Sequence, residues 1–138
     1  MIGIEQMSGI CDGRVIIVTG AGGGLGREYA LAFGAAGAKV VVNDINAQSA
    51  EKTVADIEDT GGEAIANTQD ITNYEQSASI VSEAIANFGD LHGVVNNAGI
   101  CRDRMFASMT EEEWDQVIAV HLKGHFCISS HAVHYWWD

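Results

Sequence analysis

Eight residues, Thr19-Gly20-Ala21-Gly22-Gly23-Gly24-Leu25-Gly26, carry the sharpest chemical signal in the chain. Glycines packed into so short a run open backbone angles that a Cβ forbids and let the main chain come close to a ligand. Amides at the start of a helix, aided by the helix dipole, can then meet a phosphate. The run follows the apolar stretch Val15-Ile16-Ile17-Val18 and opens a helical pattern. That context separates a dinucleotide-binding loop from a flexible turn. Asp44 adds a second element. It closes Val40-Val41-Val42-Asn43-Asp44, 18 residues beyond Gly26. An acidic residue about 20 residues on accepts from both hydroxyls of a ribose diol. A carboxylate there also repels a 2′-phosphate, and no Lys or Arg lies within the loop, Arg27 coming just after it. Both features favour NAD over NADP. The competing reading of Asp44 is a solvated carboxylate or a cap for the helix that follows Asn46.

The elements that would position these groups follow from hydrophobic periodicity. Residues 15–19 read as a short buried strand. Residues 25–36 read as a helix with Leu25, Tyr29, Ala32, Phe33 and Ala36 as its apolar stripe, stopped by Gly37. A strand over 39–42 precedes a helix from Asn46 to Thr60 with Val54 and Ile57 inward. A weaker strand from Glu63 to Thr68 precedes a helix from Asn73 to Phe88, striped by Ile80, Val81, Ala84, Ile85 and Phe88. A fourth strand lies in His92-Gly93-Val94-Val95-Asn96-Asn97-Ala98-Gly99. A long fourth helix, 111–137, opens on Thr110-Glu111-Glu112-Glu113, the pattern of a capping box. Strands alternating with helices predict a parallel sheet with right-handed crossovers. The expected fold class is α/β, a Rossmann-type doubly wound parallel sheet that stops after its fourth strand and the following helix. Residues 1–138 would form the N-terminal part of one NAD-binding domain.

Composition narrows the functions available. At 47% hydrophobic and 19% charged, the 138 residues are expected to fold. The net charge of −12 argues against nucleic acid and against an anionic membrane surface, both of which select basic patches. It leaves room for one anion held by backbone amides. No apolar run reaches the roughly 18 residues a membrane-crossing helix needs. Glu5 stands where an export signal would carry positive charge. Cys11, Cys101 and Cys127 are odd in number and far apart, which points to a reduced, cytoplasmic setting.

With Thr19-Gly20, Gly24 and Gly26 in one motif and Asn96-Asn97-Ala98-Gly99 in a second, the chain resembles the short-chain dehydrogenase/reductase family from about Gly13 onward. Within it, the stretch from Asn97 to Phe106, then Trp114-Asp115 and His121-Leu122-Lys123-Gly124-His125-Phe126, is similar to bacterial members and to (3R)-hydroxyacyl-CoA dehydrogenase domains. The resemblance implies that Gly20, Gly24, Leu25 and Gly26 line a diphosphate and that Asp44 holds the adenosine ribose. It implies that Asp70 and Ile71 meet the adenine, and that Asn97, Ala98 and Gly99 lie along the nicotinamide ribose. Asp70 could equally cap the helix after Asn73, and Asn96-Asn97 could be a simple turn. All these positions fall at carboxyl ends of strands, where ligands bind in open α/β sheets.

Two departures from the family pattern stand out. The family's catalytic Asn on the helix after Asn-Asn-Ala-Gly aligns with His121. In the family that residue distorts the helix so that a main-chain carbonyl holds a relay water, a role indifferent to the side chain. His121 could serve there, or be a helix histidine with a local partner. The catalytic Ser and Tyr-x-x-x-Lys are absent. Tyr29 and Tyr74 have Phe33 and Ala78 four residues on, and Tyr135 has no such position. Nothing in these residues can therefore supply a tyrosine whose pKa is lowered by a neighbouring Lys. His121 and His125 could share a metal at their spacing, but the segment lacks the Glu of a zinc protease motif, so no metal is expected.

The leading expectation is an oxidoreductase moving hydride between NAD and a small alcohol or carbonyl substrate, with a 3-hydroxyacyl thioester favoured by resemblance. The family also implies a homo-oligomer built through the long fourth helix. The alternative is a non-catalytic dinucleotide-binding or association module. A methyltransferase would leave Asn96-Asn97-Ala98-Gly99 without a role.

Overall fold

The computed structural model describes residues 9–138, so the opening residues weighed above for an export signal lie, through residue 8, outside that range. Four strands form one parallel sheet: β1 Val15–Thr19, β2 Lys39–Asn43, β3 Glu63–Asn67 and β4 Gly93–Val95. The order across the sheet is β3-β2-β1-β4, the expected doubly wound arrangement. Helices α1 Gly24–Ala35, α2 Ala47–Asp59 and α3 Tyr74–Phe88 make the crossovers.

Side chains alternate across a strand, so each face of the sheet receives its own core. Val15, Ile17 and Val41 pack with Ile80, Val81, Ala84, Leu91, Ile128 and Ala132 on one face. Ile16, Val18, Val40 and Val42 pack with Ala30, Ala50 and Ile57 on the other. Every residue of β1 is buried, which accounts for its unbroken apolar run.

The stripe expected on the first helix is not the buried one. Leu25 is 67% exposed and Tyr29 42%, Ala32 and Ala36 face solvent, and Phe33 is only half-buried. Gly26, Ala30 and Gly34 face inward instead. Close approach selects these small residues: a Cβ on Gly34 would come within 2.7 Å of Ile57 Cγ2. At these positions the helix lies too near its neighbours to admit a large side chain; Leu25 and Tyr29 are left outside, while Leu31 and Phe33 pack at the margin of the core.

The fourth strand is shorter than the motif that contains it. After Val95 the chain leaves the ladder, because Asn97 donates its N–H to the Val95 carbonyl and to Thr19 Oγ1. The fourth helix occupies its expected span but is not uniform. The helix α4, Glu111–Ile118, passes through a π-helical turn, Ala119–Gly124, into α5, His125–Trp137. The Thr110–Glu113 capping box is formed in both directions. A short 3₁₀ turn, Phe106–Ser108, precedes it. Among the described residues, β4 pairs only with β1, and Trp114, Phe126, Trp136 and Trp137 stand exposed along the fourth helix.

Candidate functional site

The carboxyl ends of all four strands open into one cleft of about 440 Å³. The turn after β1 contributes Gly20 and Gly23. The end of β2 contributes Asn43, Asp44 and Ile45, and the segment after β3 contributes Gln69 to Thr72. Asn97 to Ile100 follow β4, and Val120 reaches in from the π turn. Seven of the residues singled out in the sequence meet here: Gly20, Asp44, Asp70, Ile71, Asn97, Ala98 and Gly99. Leu25 points outward and Gly26 is buried behind the turn. Gly24, at the first position of α1, has φ 52° and no atom within 4 Å of where a Cβ would stand.

The glycine turn is braced from three sides. Gly20 has φ 63°, and a Cβ on it would come 2.9 Å from the Ala98 Cα. One on Gly26 would collide with the Gly20 carbonyl and the Asn97 side-chain amide. Ala21 N–H donates to the Asn43 carbonyl at 2.9 Å, and Gly22 N–H to Asp44 Oδ2 at 3.0 Å. Asp44 therefore ties the turn to the end of β2.

Thr19 is a residue whose part in the site sequence reading missed. Its hydroxyl is fully buried, accepts from the N–H groups of Asn97 and Ala98 at 3.1 and 3.0 Å, and donates to the Val95 carbonyl at 3.3 Å. Asn97 Nδ2 returns to the Thr19 carbonyl at 3.0 Å. The ends of β1 and β4 are thus stapled by side chains where the ladder stops. A Thr at the last position of an otherwise apolar strand was the available signal, since a buried hydroxyl requires partners. Asn43, Ile45, Gln69, Thr72, Ile100 and Val120 also line the cleft without having been singled out.

On the β3 side, Asp70 Oδ1 accepts from both the N–H and the hydroxyl of Thr72 at 2.8 Å. The helix cap there is Asn73, whose side chain accepts from Gln76 N–H. Asn46 likewise caps α2 by accepting from Ser49 N–H. The start of α1 differs: its cap is Gly23, with no side-chain acceptor and no acidic residue in the first turn. The cleft is lined by two carboxylates, Asp44 and Asp70, and by no basic side chain. Attraction for a phosphate must come from backbone amides and the dipole of α1. No atom stands within 4 Å of a Cβ built on Gly23 or Gly24, which leaves room for such a group. The residues present fit a dinucleotide.

His121 lies behind the cleft wall rather than in its lining. Its Nε2 is 3.0 Å from Ile100 N and 2.8 Å from Ile100 O. The imidazole fills the place of a side chain on Gly99, whose Cβ would stand 2.6 Å from His121 Cε1. His125 Nε2 is 3.3 Å from the Ala98 carbonyl. The two rings, 6.4 Å apart, each address the backbone of the 98–100 segment.

Comparison with known proteins agrees with this geometry. A hydroxyacyl-CoA dehydrogenase of Mycobacterium tuberculosis is 47% identical over 132 residues, covering 92% of this chain and 41% of its own length. The peroxisomal multifunctional enzyme type 2 of Mus musculus is 46% identical over 136 residues, covering 92% of this chain and 18% of its own. A crystal structure of a short chain dehydrogenase from Mycobacterium avium superposes with a TM-score of 0.90 at 51% identity, covering 94% of this chain and 48% of that one. The chain spans less than half the length of each. The sequence profile described as short chain dehydrogenase matches residues 14–138, from the residue before β1 through the helix that carries His121. Glycine turn, sheet order and sequence agree, and the chain belongs to the short-chain dehydrogenase family.

Proposed function

We propose that this chain forms the cofactor half of an oxidoreductase that moves hydride between NAD and an alcohol or carbonyl substrate. The observation that carries the reading is the single cleft joining the glycine turn, Asp44, Asp70-Ile71 and Asn97-Ala98-Gly99. Gly20, Gly24 and Leu25 would cradle the diphosphate, Leu25 through its backbone alone, and Gly26, packed behind the turn against the Gly20 carbonyl and the Asn97 amide, would hold the turn in shape for it. Asp44 would accept from the adenosine ribose. Its two oxygens already serve Gly22 and Asn46, but a carboxylate has about four acceptor positions, so two remain for a diol. Its charge favours NAD over NADP. Asp70 and Ile71 would meet the adenine, and Asn97, Ala98 and Gly99 the nicotinamide ribose. The bound dinucleotide supplies the hydride chemistry.

His121 sits in the π turn, where the widened helix departs from the regular carbonyl-to-amide ladder. This supports a role for its main-chain carbonyl in holding a relay water, with the imidazole fixing the wall beside Gly99. The family's catalytic Ser and Tyr-x-x-x-Lys, which would exchange a proton with substrate, have no counterpart in these 138 residues, where no Tyr has a Lys four residues on. Relatives named for hydroxyacyl-CoA chemistry support a 3-hydroxyacyl thioester as substrate. Exposed Trp114, Phe126 and Trp137 support a homo-oligomer through the fourth helix. Three free cysteines support a cytoplasmic setting, and no helix among the described residues is long and apolar enough to cross a membrane.

Calorimetry on the full-length protein with NAD and NADP tests the cofactor, and absorbance of NADH formed with a 3-hydroxyacyl-CoA tests the reaction. Tighter NAD binding with turnover is expected. A folded protein indifferent to both dinucleotides would sink the reading.

A further inference from the structure

Two nearly fully buried amides sit side by side at the carboxyl ends of β2 and β3. Asn43 and Asn67 are each 3% exposed and are direct partners in the strand register. Asn43 Nδ2 donates to Asn67 Oδ1 at 2.8 Å and to the Gln69 carbonyl at 3.0 Å. Asn67 Oδ1 also accepts from Gln69 N–H at 3.0 Å. Asn67 Nδ2 donates to Glu83 Oε2, on α3, at 2.7 Å. The same two residues act through their main chains. The Asn43 carbonyl accepts from Ala21 N–H, and the Asn67 carbonyl from Asp44 N–H.

Burying side-chain amides costs free energy unless their hydrogen bonds are made, and apolar residues would pair these strands without that cost. The network therefore contributes geometry more than adhesion. Its bonds end on the three segments that frame one end of the cleft: the glycine turn, Asp44 and the Gln69–Thr72 stretch. That last stretch is stiffened internally by Asp70 and Thr72 and tied to α3, where Asp70 N–H donates to Gln76 Oε1 at 2.8 Å and Ser77 Oγ donates to the Ile71 carbonyl at 3.0 Å. What fixes it to β2 is the Asn43 amide on its first carbonyl.

We infer that Asn43 and Asn67, braced by Glu83, are positioning residues that set the width of the cleft between Asp44 and Asp70-Ile71, and with it the affinity for the adenosine half of a dinucleotide. This rests on the cofactor reading above.

The test uses the full-length protein, calorimetry with ADP-ribose, NAD and nicotinamide mononucleotide, and circular dichroism to verify folding. Asn43→Leu keeps the branched shape of the side chain, at a somewhat larger volume, and removes the amide. It is expected to weaken ADP-ribose and NAD by the same factor, about tenfold, the scale of a lost buried hydrogen bond. Nicotinamide mononucleotide is expected to bind as before. Glu83→Ala, at a partly exposed site, is expected to weaken ADP-ribose about threefold, and Glu83→Gln, which keeps an acceptor for Asn67, to restore it. If Asn43→Leu does not fold, the Glu83 pair decides alone. Folded variants that bind ADP-ribose like the parent, or Glu83→Gln as weak as Glu83→Ala, overturn the inference and leave the cofactor reading standing. A parent protein that binds neither ADP-ribose nor NAD overturns both.

Discussion

Asp44 holds Gly22 with one carboxylate oxygen and Asn46 with the other: Oδ2 accepts from Gly22 N–H at 3.0 Å and Oδ1 from Asn46 N–H at 2.9 Å. The residue proposed to select the cofactor is thus also a strut between the glycine turn and the start of α2. Asp44→Ala is expected to weaken NAD by about tenfold or more and NADP by less, because the repulsion of its 2′-phosphate is relieved, so that the preference for NAD narrows. Asp44→Asn retains an acceptor and is expected to lose selectivity with a smaller loss for NAD. Binding of both dinucleotides to both variants measures this; equal affinities in the parent protein would contradict the assignment.

The glycines of the turn divide by what surrounds them. Gly26 is closed in by the Gly20 carbonyl and the Asn97 amide, whereas the space over Gly24 is open. Gly26→Ala is expected to displace the turn and lower the thermal midpoint as well as abolish binding. Gly24→Val is expected to abolish binding with the fold largely kept, since two branches would fill the proposed diphosphate space and φ 52° disfavours them. Thermal unfolding and NAD titration of the two variants separate the cases; identical loss of stability would refute the distinction.

One ring nitrogen of His121 faces both the N–H and the carbonyl of Ile100 and can serve only one at a time. An Asn amide carries a donor and an acceptor together. His121→Asn in the full-length protein is accordingly expected to keep kcat within about threefold, and His121→Ala to lower it about tenfold or more. Steady-state turnover decides: an Ala variant equal to the parent would remove any role for the side chain.

At the far end of the sheet, Tyr135 donates its hydroxyl to Asp90 Oδ1 at 2.8 Å, and Trp136 Nε1 donates to the Leu91 carbonyl at 2.6 Å. The Tyr135 bond, followed by Leu91 N–H, holds the Asp90 carboxyl below its ordinary 3.8, and the same contact holds Tyr135 above 10.0. A depressed carboxyl contributes stability above its unfolded value and loses it as pH falls through the folded one. A raised phenol contributes below its unfolded value and loses it as pH rises through the folded one. The C-terminal latch of α5 is therefore at full strength between those limits and loosens outside them. Carboxyl-carbon NMR is expected to show Asp90 titrating at higher pH in Tyr135→Phe; an unchanged titration would rule out the coupling.

The alternation of apolar runs and helical periods made the doubly wound sheet legible, because β1 and β2 are buried on both faces and admit little else. That Asp44, Asp70 and Asn97 meet at one cleft was legible for a related reason: clefts of a parallel sheet open where its strands end. Less visible was anything set by distance across the chain. The inward face of α1 is made of Gly26, Ala30 and Gly34 because its neighbours are close, and a hydrophobicity pattern ranks those residues below Leu25 and Phe33. The staple from Thr19 to Asn97 and the Asn43–Asn67 pair join residues brought together only by strand pairing. The π turn also left no mark in the periodicity from 111 to 137.

The way β4 pairs carries a consequence for the order in which the molecule assembles. Val15 meets Lys39, whereas Ile16 meets Gly93, about three times as far along the chain, and closing the longer loop costs roughly 1 kcal/mol more. Contacts near in sequence form first in such topologies. The β1-α1-β2-α2-β3 segment, which already holds the glycine turn, Asp44 and the Asn43–Asn67 pair, is expected to consolidate before Asn97 to Ile100 arrive. Pulse-labelled hydrogen exchange during refolding would then protect Val18 and Val42 before Val95, and the reverse order would refute this sequence of events. The cleft would be built from its adenosine end, with its opposite wall closing last.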